Sequence, residues 1–179
     1  MIATTLAVIF GTAMTSTSSN NAWAANIDCP NQVPSGDIQN CIGTIGPDNM
    51  QGTSKPDSMR GLADDDRMFG FASNDVMTGD GGDDTMNGGS GHDTMFGRIG
   101  DDKINGDSGN DEIIGGFGAD SLFGSSGNDR ITHGDFPTDT GPDGSKDDIH
   151  CGSGNDEAWI NANVDGDTAD SDCETVHAG

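Results

Sequence analysis

Aspartate recurs at a fixed interval through the middle of this chain, and it is the residue whose type and spacing best suit chemistry. Each carboxylate offers hard oxygen donors of the kind that calcium binds, and one carboxylate arrives every nine residues. Carboxylates repeated so closely would repel one another unless cations lay between them. The sequence therefore predicts rows of calcium sites, with candidate ligands Asp48, Asp57, Asp66, Asp75, Asp84, Asp93, Asp102, Asp111, Asp120, Asp129 and, after an interruption, Asp156.

Two further columns share the nine-residue interval and predict the elements that position the carboxylates. Glycine opens each unit from Gly43 to Gly124, and the eighth residue is always Met, Ile or Leu, from Met50 to Ile131. Glycine at the first and fourth positions indicates a turn with positive φ. One apolar residue among polar neighbours indicates a short strand with a single inward side chain. Each unit is thus a turn followed by a strand, and two units make one coil of 18 residues.

Coils of this kind must stack, because a single unit buries almost no apolar surface. Stacking pairs the strands in parallel, about 4.8 Å apart, in an all-β solenoid. Positions 18 apart then lie above one another, which places Asp84 and Asp102 on one edge and Asp93 and Asp111 on the other. Calcium fits between successive turns because it accepts roughly six to eight oxygens in loose geometry, whereas magnesium demands a tighter octahedron.

The unit at residues 88–96, GGSGHDTMF, resembles the nonapeptide G-G-x-G-x-D-x-U-x at every fixed position. This is the calcium-binding repeat of the RTX (repeats-in-toxin, haemolysin-type) family, and the resemblance extends over residues 43–132. It implies a right-handed parallel β-roll, a calcium-stabilised solenoid that orders only when calcium binds. The ligands that it implies are the sixth-position aspartates and backbone carbonyls of the turns.

Several units depart from this pattern. Lys55, Asp64 and Ser73 replace the fourth-position glycine, so we expect distorted or metal-free turns in the second to fourth units. Residues 133–150 form a degenerate region in which the prolines suggest a surface excursion. The pattern returns at residues 151–159 with Asp156. Charge compensation over residues 43–132, which carry 17 acids and six bases, favours roughly four to six calcium ions.

The two ends of the chain predict export and end caps. Residues 1–24 combine an apolar stretch with an Ala-Trp-Ala motif and indicate a signal peptide rather than a membrane anchor. Residues 25–42 form an N-terminal cap, and residues 151–179 the last repeat with a C-terminal cap. Four cysteines allow three pairings, of which Cys29–Cys41 and Cys151–Cys173 would staple the two caps. Zinc binding by these cysteines is disfavoured, because no C-x-x-C is present.

Other side chains have a plainer interpretation. The Met column indicates core packing, and Trp159 with Ile160 is expected to cover the last coil. The run from Asp165 to Asp170 resembles the start of an EF-hand loop, but it lacks that loop's glycine and final glutamate, so we interpret it as a capping loop. The histidines are expected at the surface: His92, His133, His150 and His177.

Composition and charge narrow the function. A formal net charge of -24 disfavours nucleic acid and anionic membranes as partners. The low apolar content, taken alone, would also fit a disordered chain. No H-E-x-x-H or G-x-S-x-G motif is present, so an enzyme is not expected. We expect a secreted, monomeric calcium-binding protein with a structural, cell-surface or matrix role. An adhesin or other ligand-binding module and an accessory to a calcium-dependent secreted hydrolase are the alternatives.

Overall fold

A short strand forms wherever an apolar residue sits two positions after the repeated aspartate. The computed structural model describes residues 25–29, 39–134, 144–160 and 165–178. The first eight strands are β1 (Ala25–Asp28), β2 (Gln39–Ile42), β3 (Asp48–Gln51), β4 (Asp57–Arg60), β5 (Arg67–Ala72), β6 (Val76–Gly81), β7 (Thr85–Ser90) and β8 (Thr94–Ile99). The other eight are β9 (Lys103–Ser108), β10 (Glu112–Phe117), β11 (Ser121–Ser126), β12 (Arg130–Thr132), β13 (Asp148–Ser153), β14 (Glu157–Ile160), β15 (Thr168–Ala169) and β16 (Thr175–Ala178).

The strands alternate between two parallel sheets, as the 18-residue coil predicts. The odd-numbered strands form one eight-stranded sheet, the odd sheet, and the even-numbered strands form another, the even sheet. Met68 pairs with Met86 in the odd sheet, and Met77 pairs with Met95 in the even sheet, each 18 residues further along. The described residues contain no helix, and therefore none long and apolar enough to cross a membrane. The predicted all-β, parallel β-roll is confirmed.

The core between the two sheets is a double stack of eighth-position side chains. Each is essentially inaccessible to solvent, and together they form one apolar cluster that also receives the cysteines. Packing of flexible thioethers against branched side chains fills this narrow interior. Its central members are Met50, Met59, Met68, Met77, Met86, Met95, Ile104, Ile113, Leu122 and Ile131.

Both ends of the solenoid are themselves coils. Strands β1 and β2 extend the two sheets at one end, and β15 and β16 extend them at the other. The predicted disulfides are present, Cys29–Cys41 within the first coil and Cys151–Cys173 between the last two. Ile160 is buried as expected, but the expectation that it covers the last coil is wrong, because β16 packs beyond β14.

The coil that contains β12 and β13 is longer than the others. Ser121 of β11 pairs with Asp148 of β13, a separation of 27 residues where earlier coils advance by 18. The chain thus contains one additional unit of nine residues, inserted after β12. The predicted surface excursion around Pro137 and Pro142 lies outside the described residues, as does the predicted signal peptide.

Candidate calcium-binding turns

The sixth-position aspartates lie at the end of each turn, immediately before a strand, and are buried. None is more than 3% exposed, although each carries a carboxylate. Their position follows from the chain, because the residue two positions after each aspartate carries the inward-facing core side chain. The buried set contains every ligand predicted from the sequence: Asp48, Asp57, Asp66, Asp75, Asp84, Asp93, Asp102, Asp111, Asp120, Asp129 and Asp156.

From Asp66 and Asp75 onward, each carboxylate bridges two successive coils. One oxygen, Oδ1, accepts a hydrogen bond from the backbone N–H of the aspartate one coil earlier, as from Asp84 to Asp102 at 2.8 Å and from Asp93 to Asp111 at 2.8 Å. These bonds form one continuous row on each edge of the solenoid, as predicted. The odd ladder consists of Asp48, Asp66, Asp84, Asp102, Asp120, Asp147 and Asp167. The even ladder consists of Asp57, Asp75, Asp93, Asp111, Asp129, Asp156 and Glu174.

The second oxygen points to the space above the glycine that opens the same turn. A Cβ on Gly97 would lie 2.1 Å from Oδ2 of Asp102 and 2.5 Å from the carbonyl oxygen of Gly115 in the next coil. The same arrangement recurs at Gly61 with Asp66, where the carbonyl belongs to Gly79. A carboxylate oxygen and a carbonyl oxygen thus converge on one spot between coils. This is the donor chemistry that calcium requires.

The first-position glycine therefore serves a different purpose from the one that its sequence column suggests. Positive φ angles occur at the second and fourth positions, as at Asp80 (77°) and Gly82 (124°), and not at the first. The prediction of positive φ at the first position is wrong. Glycine is required there because a side chain would occupy the space in which the oxygens converge.

In eight of the described turns the second carboxylate oxygen lacks a hydrogen-bond partner within the protein. Oδ2 of Asp84 is buried without a hydrogen-bond partner, and the same holds in other turns of both ladders. A buried polar atom of this kind costs roughly 1–3 kcal/mol, and more when it is charged. A bound cation would remove that cost. The other members are Asp66, Asp75, Asp93, Asp102, Asp111, Asp129 and Asp156.

The pKa values of the ladder aspartates also show that burial opposes their ionised form. Burial, with some repulsion from the neighbouring coils' carboxylates, raises the pKa of Asp84 to about 8. Burial also raises the pKa of Asp93 and of Asp156. Ionised ladders are therefore unfavourable in the metal-free fold, and a divalent cation would reverse the sign of the local field. The pKa values of the others rise to about 6 (Asp66, Asp129) and about 7 (Asp75, Asp102, Asp111).

The comparisons with known proteins agree with this geometry. Residues 42–70, 69–104 and 96–131 match the family model described as the RTX calcium-binding nonapeptide repeat (4 copies), and together these matches span half of the chain. The chain belongs to the RTX calcium-binding repeat family. The predicted resemblance and the predicted ligand Ca²⁺ are thereby confirmed. No curated protein and no solved structure matches the chain.

The first two RTX turns are built differently from the rest. The backbone N–H of Thr44 donates to Oδ2 of Asp48 at 2.5 Å, and that of Thr53 donates to Oδ2 of Asp57 at 2.6 Å. A protein donor thus occupies the oxygen that faces the cation elsewhere. Asp48 and Asp57 are the members of the predicted set that the geometry favours least.

The described turns in which a backbone N–H donates to the Oδ2 atom are thus those with threonine at the second position. Loss of the fourth-position glycine does not by itself produce this arrangement. Asp64 and Ser73, which replace that glycine in the third and fourth units, adopt left-handed φ angles of 70° and 79°. Their turns lead into aspartates with the same Oδ2 arrangement as the later RTX turns. The expectation of distortion in these two units is thus not supported by the position of their carboxylates.

Sequence reasoning missed two members of the RTX ladders near the C-terminal end. Asp167 continues the odd ladder and is 4% exposed, and Glu174 continues the even ladder. An acid two residues before an inward apolar residue was the available signal, as in Asp167-Thr-Ala169. The interval of 20 residues from Asp147 to Asp167 concealed it. The interpretation of this run as a capping loop is wrong, because β15 adds a strand to the odd sheet.

One histidine also departs from expectation. His133 is 7% exposed and lies at the first turn position after β12, whereas it was expected at the surface. His92 and His177 are exposed, and the side chain of His150 is 39% exposed, which agrees with the prediction for them.

Proposed function

We propose that this RTX protein is an exported rod that folds when calcium binds and serves a structural role at the cell surface or in an extracellular matrix. RTX β-solenoids are a structural, non-catalytic type of repeat, and calcium is their ligand. The observation that carries the proposal is the convergence of an unpartnered carboxylate oxygen and a carbonyl oxygen between successive coils. Two disulfides are consistent with an oxidising, extracellular location.

Folding and calcium binding are coupled in this proposal. The metal-free coil must hold buried carboxylates in two rows, and repulsion and desolvation oppose that arrangement. Calcium binds the folded turns and not the unfolded chain, so its binding free energy becomes folding free energy. Extracellular modules bind calcium at roughly 10⁻⁴–10⁻³ M, a range that would keep the chain unfolded until export.

The position of the ions follows from the turns in which a carboxylate oxygen and a carbonyl oxygen converge, and their number from charge compensation. We place the principal sites between Asp66 and Asp129, where the RTX turns converge two oxygens, and keep the expectation of roughly four to six ions. Asp48 and Asp57 remain proposed ligands of lower occupancy because threonine N–H groups contact their carboxylates.

The test is a calcium titration of the metal-free chain by calorimetry and far-ultraviolet circular dichroism. We expect a cooperative gain of β structure that saturates together with the binding of several ions. Magnesium at equal concentration should produce little of either signal, since it demands a tighter octahedron. A chain that is fully folded in chelator and binds no calcium would overturn the proposal.

A pair of neighbouring residues tests the site assignment. Asp111→Asn removes a buried charged ligand but keeps the Oδ1 that accepts the N–H of Asp93, so the coil contact survives. We expect loss of one bound ion, or binding at that site weakened at least tenfold. Glu112→Gln is the matched control, because it removes one charge from an exposed side chain next along the strand. Equal effects of the two variants would show that net charge, not ligation, governs binding.

A ligand-binding module is the second candidate, favoured by an apolar edge on the even sheet. Ile99 and Phe117 are 64% and 46% exposed and line a shallow cleft together with Arg60 and Arg98. Monomeric proteins rarely expose a large contiguous apolar patch, and such a patch often marks a binding site. Binding to a glycan or peptide array that is lost in Phe117→Ser, with calcium binding unchanged, would favour this candidate.

A further inference from the structure

His133 occupies a place where the preceding coils of the odd ladder have glycine. It follows β12 directly, its carbonyl oxygen accepts the N–H of Gly116 at 2.7 Å, and its N–H donates to Trp159 at 3.2 Å. These bonds fix it in register above Gly115, the first residue of the turn one coil earlier. The side chain therefore enters the space in which oxygens converge in the other turns.

His133 also lies farther along the chain from its ladder aspartate than the first residue of a regular turn does. In a regular turn four residues separate the opening glycine from its aspartate, and a Cβ would collide with the carboxylate. Here 13 residues separate His133 from Asp147, the aspartate that ends the same turn. The imidazole is accommodated, and its side chain is only 8% exposed.

Three ligand atoms meet around this imidazole. Nδ1 of His133 is buried and has no hydrogen-bond partner, and it lies 3.7 Å from Oδ2 of Asp167. One ligand atom from each of His133, Asp147 and Asp167 lies within 4.8 Å of the other two. All three residues are buried, Asp147 completely. A separation of 3.7 Å exceeds a hydrogen bond but is near the roughly 3.4 Å between two ligands of one tetrahedral zinc ion.

The donor set distinguishes this place from the calcium turns. Calcium binds oxygen, whereas an imidazole nitrogen with two carboxylates suits borderline divalent ions of the zinc class. We propose that His133, Asp147 and Asp167 form a separate binding site for a zinc-class transition-metal ion, distinct from the RTX calcium sites. The ion ties the turn that follows β12 to the last coil, and a water or carbonyl oxygen completes its coordination.

Another group of metal-ligand side chains near this end does not compete. Cys151, Asp172 and Cys173 also lie close together, but both thiols are consumed by the disulfide. The exposed His150 contacts Asp170 in a similar histidine–aspartate pair at the surface. It lacks a second carboxylate in a buried group, and it therefore supplies a matched control.

The experiment is titration of the untagged, calcium-saturated chain with Co²⁺, whose visible d–d absorption reports nitrogen and oxygen ligation. Folding by circular dichroism is established first, so failure of calcium-dependent folding is seen separately. We expect one Co²⁺ per chain, displaced by Zn²⁺ and unaffected by excess Ca²⁺. Loss of the Co²⁺ signal in excess calcium would overturn the proposal and identify an ordinary calcium turn.

Two variants identify the ligand. His133→Gly gives the position the residue that the other turns carry, and we expect it to lose the bound Co²⁺ while retaining calcium binding. His150→Gln should keep both. Equal Co²⁺ uptake by wild type and His133→Gly would refute the assignment, and absence of uptake by wild type would leave only a His133–Asp167 ion pair.

A measurement on the wild-type chain guards against a variant that fails to fold. With Nδ1 bound to Co²⁺, the Nε2–H proton of His133 should give a strongly shifted, exchangeable proton resonance in water. The resonance should persist in His150→Gln. Its absence in a chain that has taken up one Co²⁺ would show that another residue holds the ion.

Discussion

At the level of single residues, the first-position glycines determine whether two coils can approach. Gly97 faces Oδ2 of Asp102 and the carbonyl of Gly115, both closer to its Cβ position than any real Cβ contact. The neighbouring second position tolerates side chains, since Asp80 and Arg98 adopt positive φ there. Steric exclusion, rather than backbone conformation, therefore explains why glycine recurs in all ten units from Gly43 to Gly124.

Replacing such a glycine should be costly even though alanine is small. We expect Gly97→Ala to destabilise the calcium-loaded fold by about 3 kcal/mol and to weaken calcium binding, because its methyl group displaces both oxygens. Gly81→Ala is the control: its nearest atom would be 4.0 Å away, and the change should stay within about 0.5 kcal/mol. Denaturant unfolding in saturating calcium measures both, and similar midpoints would contradict this role.

In the metal-free protein, protonation of the ladder carboxylates should partly replace calcium in stabilising the fold. The pKa of Asp84 is raised from 3.8 to about 8 and that of Asp102 to about 7, so the folded state favours the protonated carboxyls. The corresponding stability is complete below about pH 4 and is lost as pH rises towards 8. We expect metal-free protein to show most β structure in acid and least at pH 8.

Calcium should invert that dependence, because it binds ionised carboxylates. The free calcium concentration at half-saturation should fall as pH rises from 5 to 8. Circular dichroism over this range, with and without calcium, measures both trends. A metal-free chain whose β content increases with pH would show that the ladder carboxylates are ionised in the apo fold.

At the level of elements, the turn-plus-strand unit repeats so faithfully that its sequence pattern predicted every strand from β3 to β12. The pattern failed where its residues or its intervals changed. Cys41 pairs with Met59 and lies nine residues before Met50, in the apolar column, but its unit has Gln39 where the later units have aspartate. Asp167 was missed because it follows Asp147 by 20 residues. Such residues join the solenoid because neighbouring strands offer unpaired backbone groups, which a sequence frame does not register.

The disulfide between β13 and the last coil should stabilise that end alone. In Cys151→Ser/Cys173→Ser the 22-residue segment between the two positions is no longer closed, a loss of about 3 kcal/mol by chain entropy. Hydrogen exchange should accelerate in β15 and β16. Amides of β8 should remain protected, because each coil contacts only its neighbours. A uniform loss of protection would show instead that the solenoid unfolds as one unit.

At the level of the whole molecule, calcium opposes a formal charge of -24 that would otherwise expand the chain. The apolar core is only two side chains wide, so little burial is available to offset chain entropy. We therefore expect stability to depend on the ions held between coils, with no coil stable by itself. The two disulfides and the two ladders connect the ends to this central run.

Calcium removal should convert a compact rod into an expanded chain. A folded chain of 179 residues has a radius of gyration of about 16 Å, somewhat more for a rod, against about 45 Å when unfolded. Small-angle X-ray scattering at neutral pH should show this change on addition of chelator. Magnesium at the same ionic strength controls for charge screening. Compaction by magnesium equal to that by calcium would argue for screening rather than specific sites.

The sequence by itself determined the period, the inward column and the two rows of aspartates. These follow from local rules, since an 18-residue coil places equivalent residues above one another. Tertiary structure alone decided which atoms meet. It showed the carbonyl of Gly115 facing Asp102, the threonine N–H on Asp48, and the burial of His133 beside Asp167. The first and last of these contacts join residues from different coils, and no local pattern specifies which atoms of two coils approach each other.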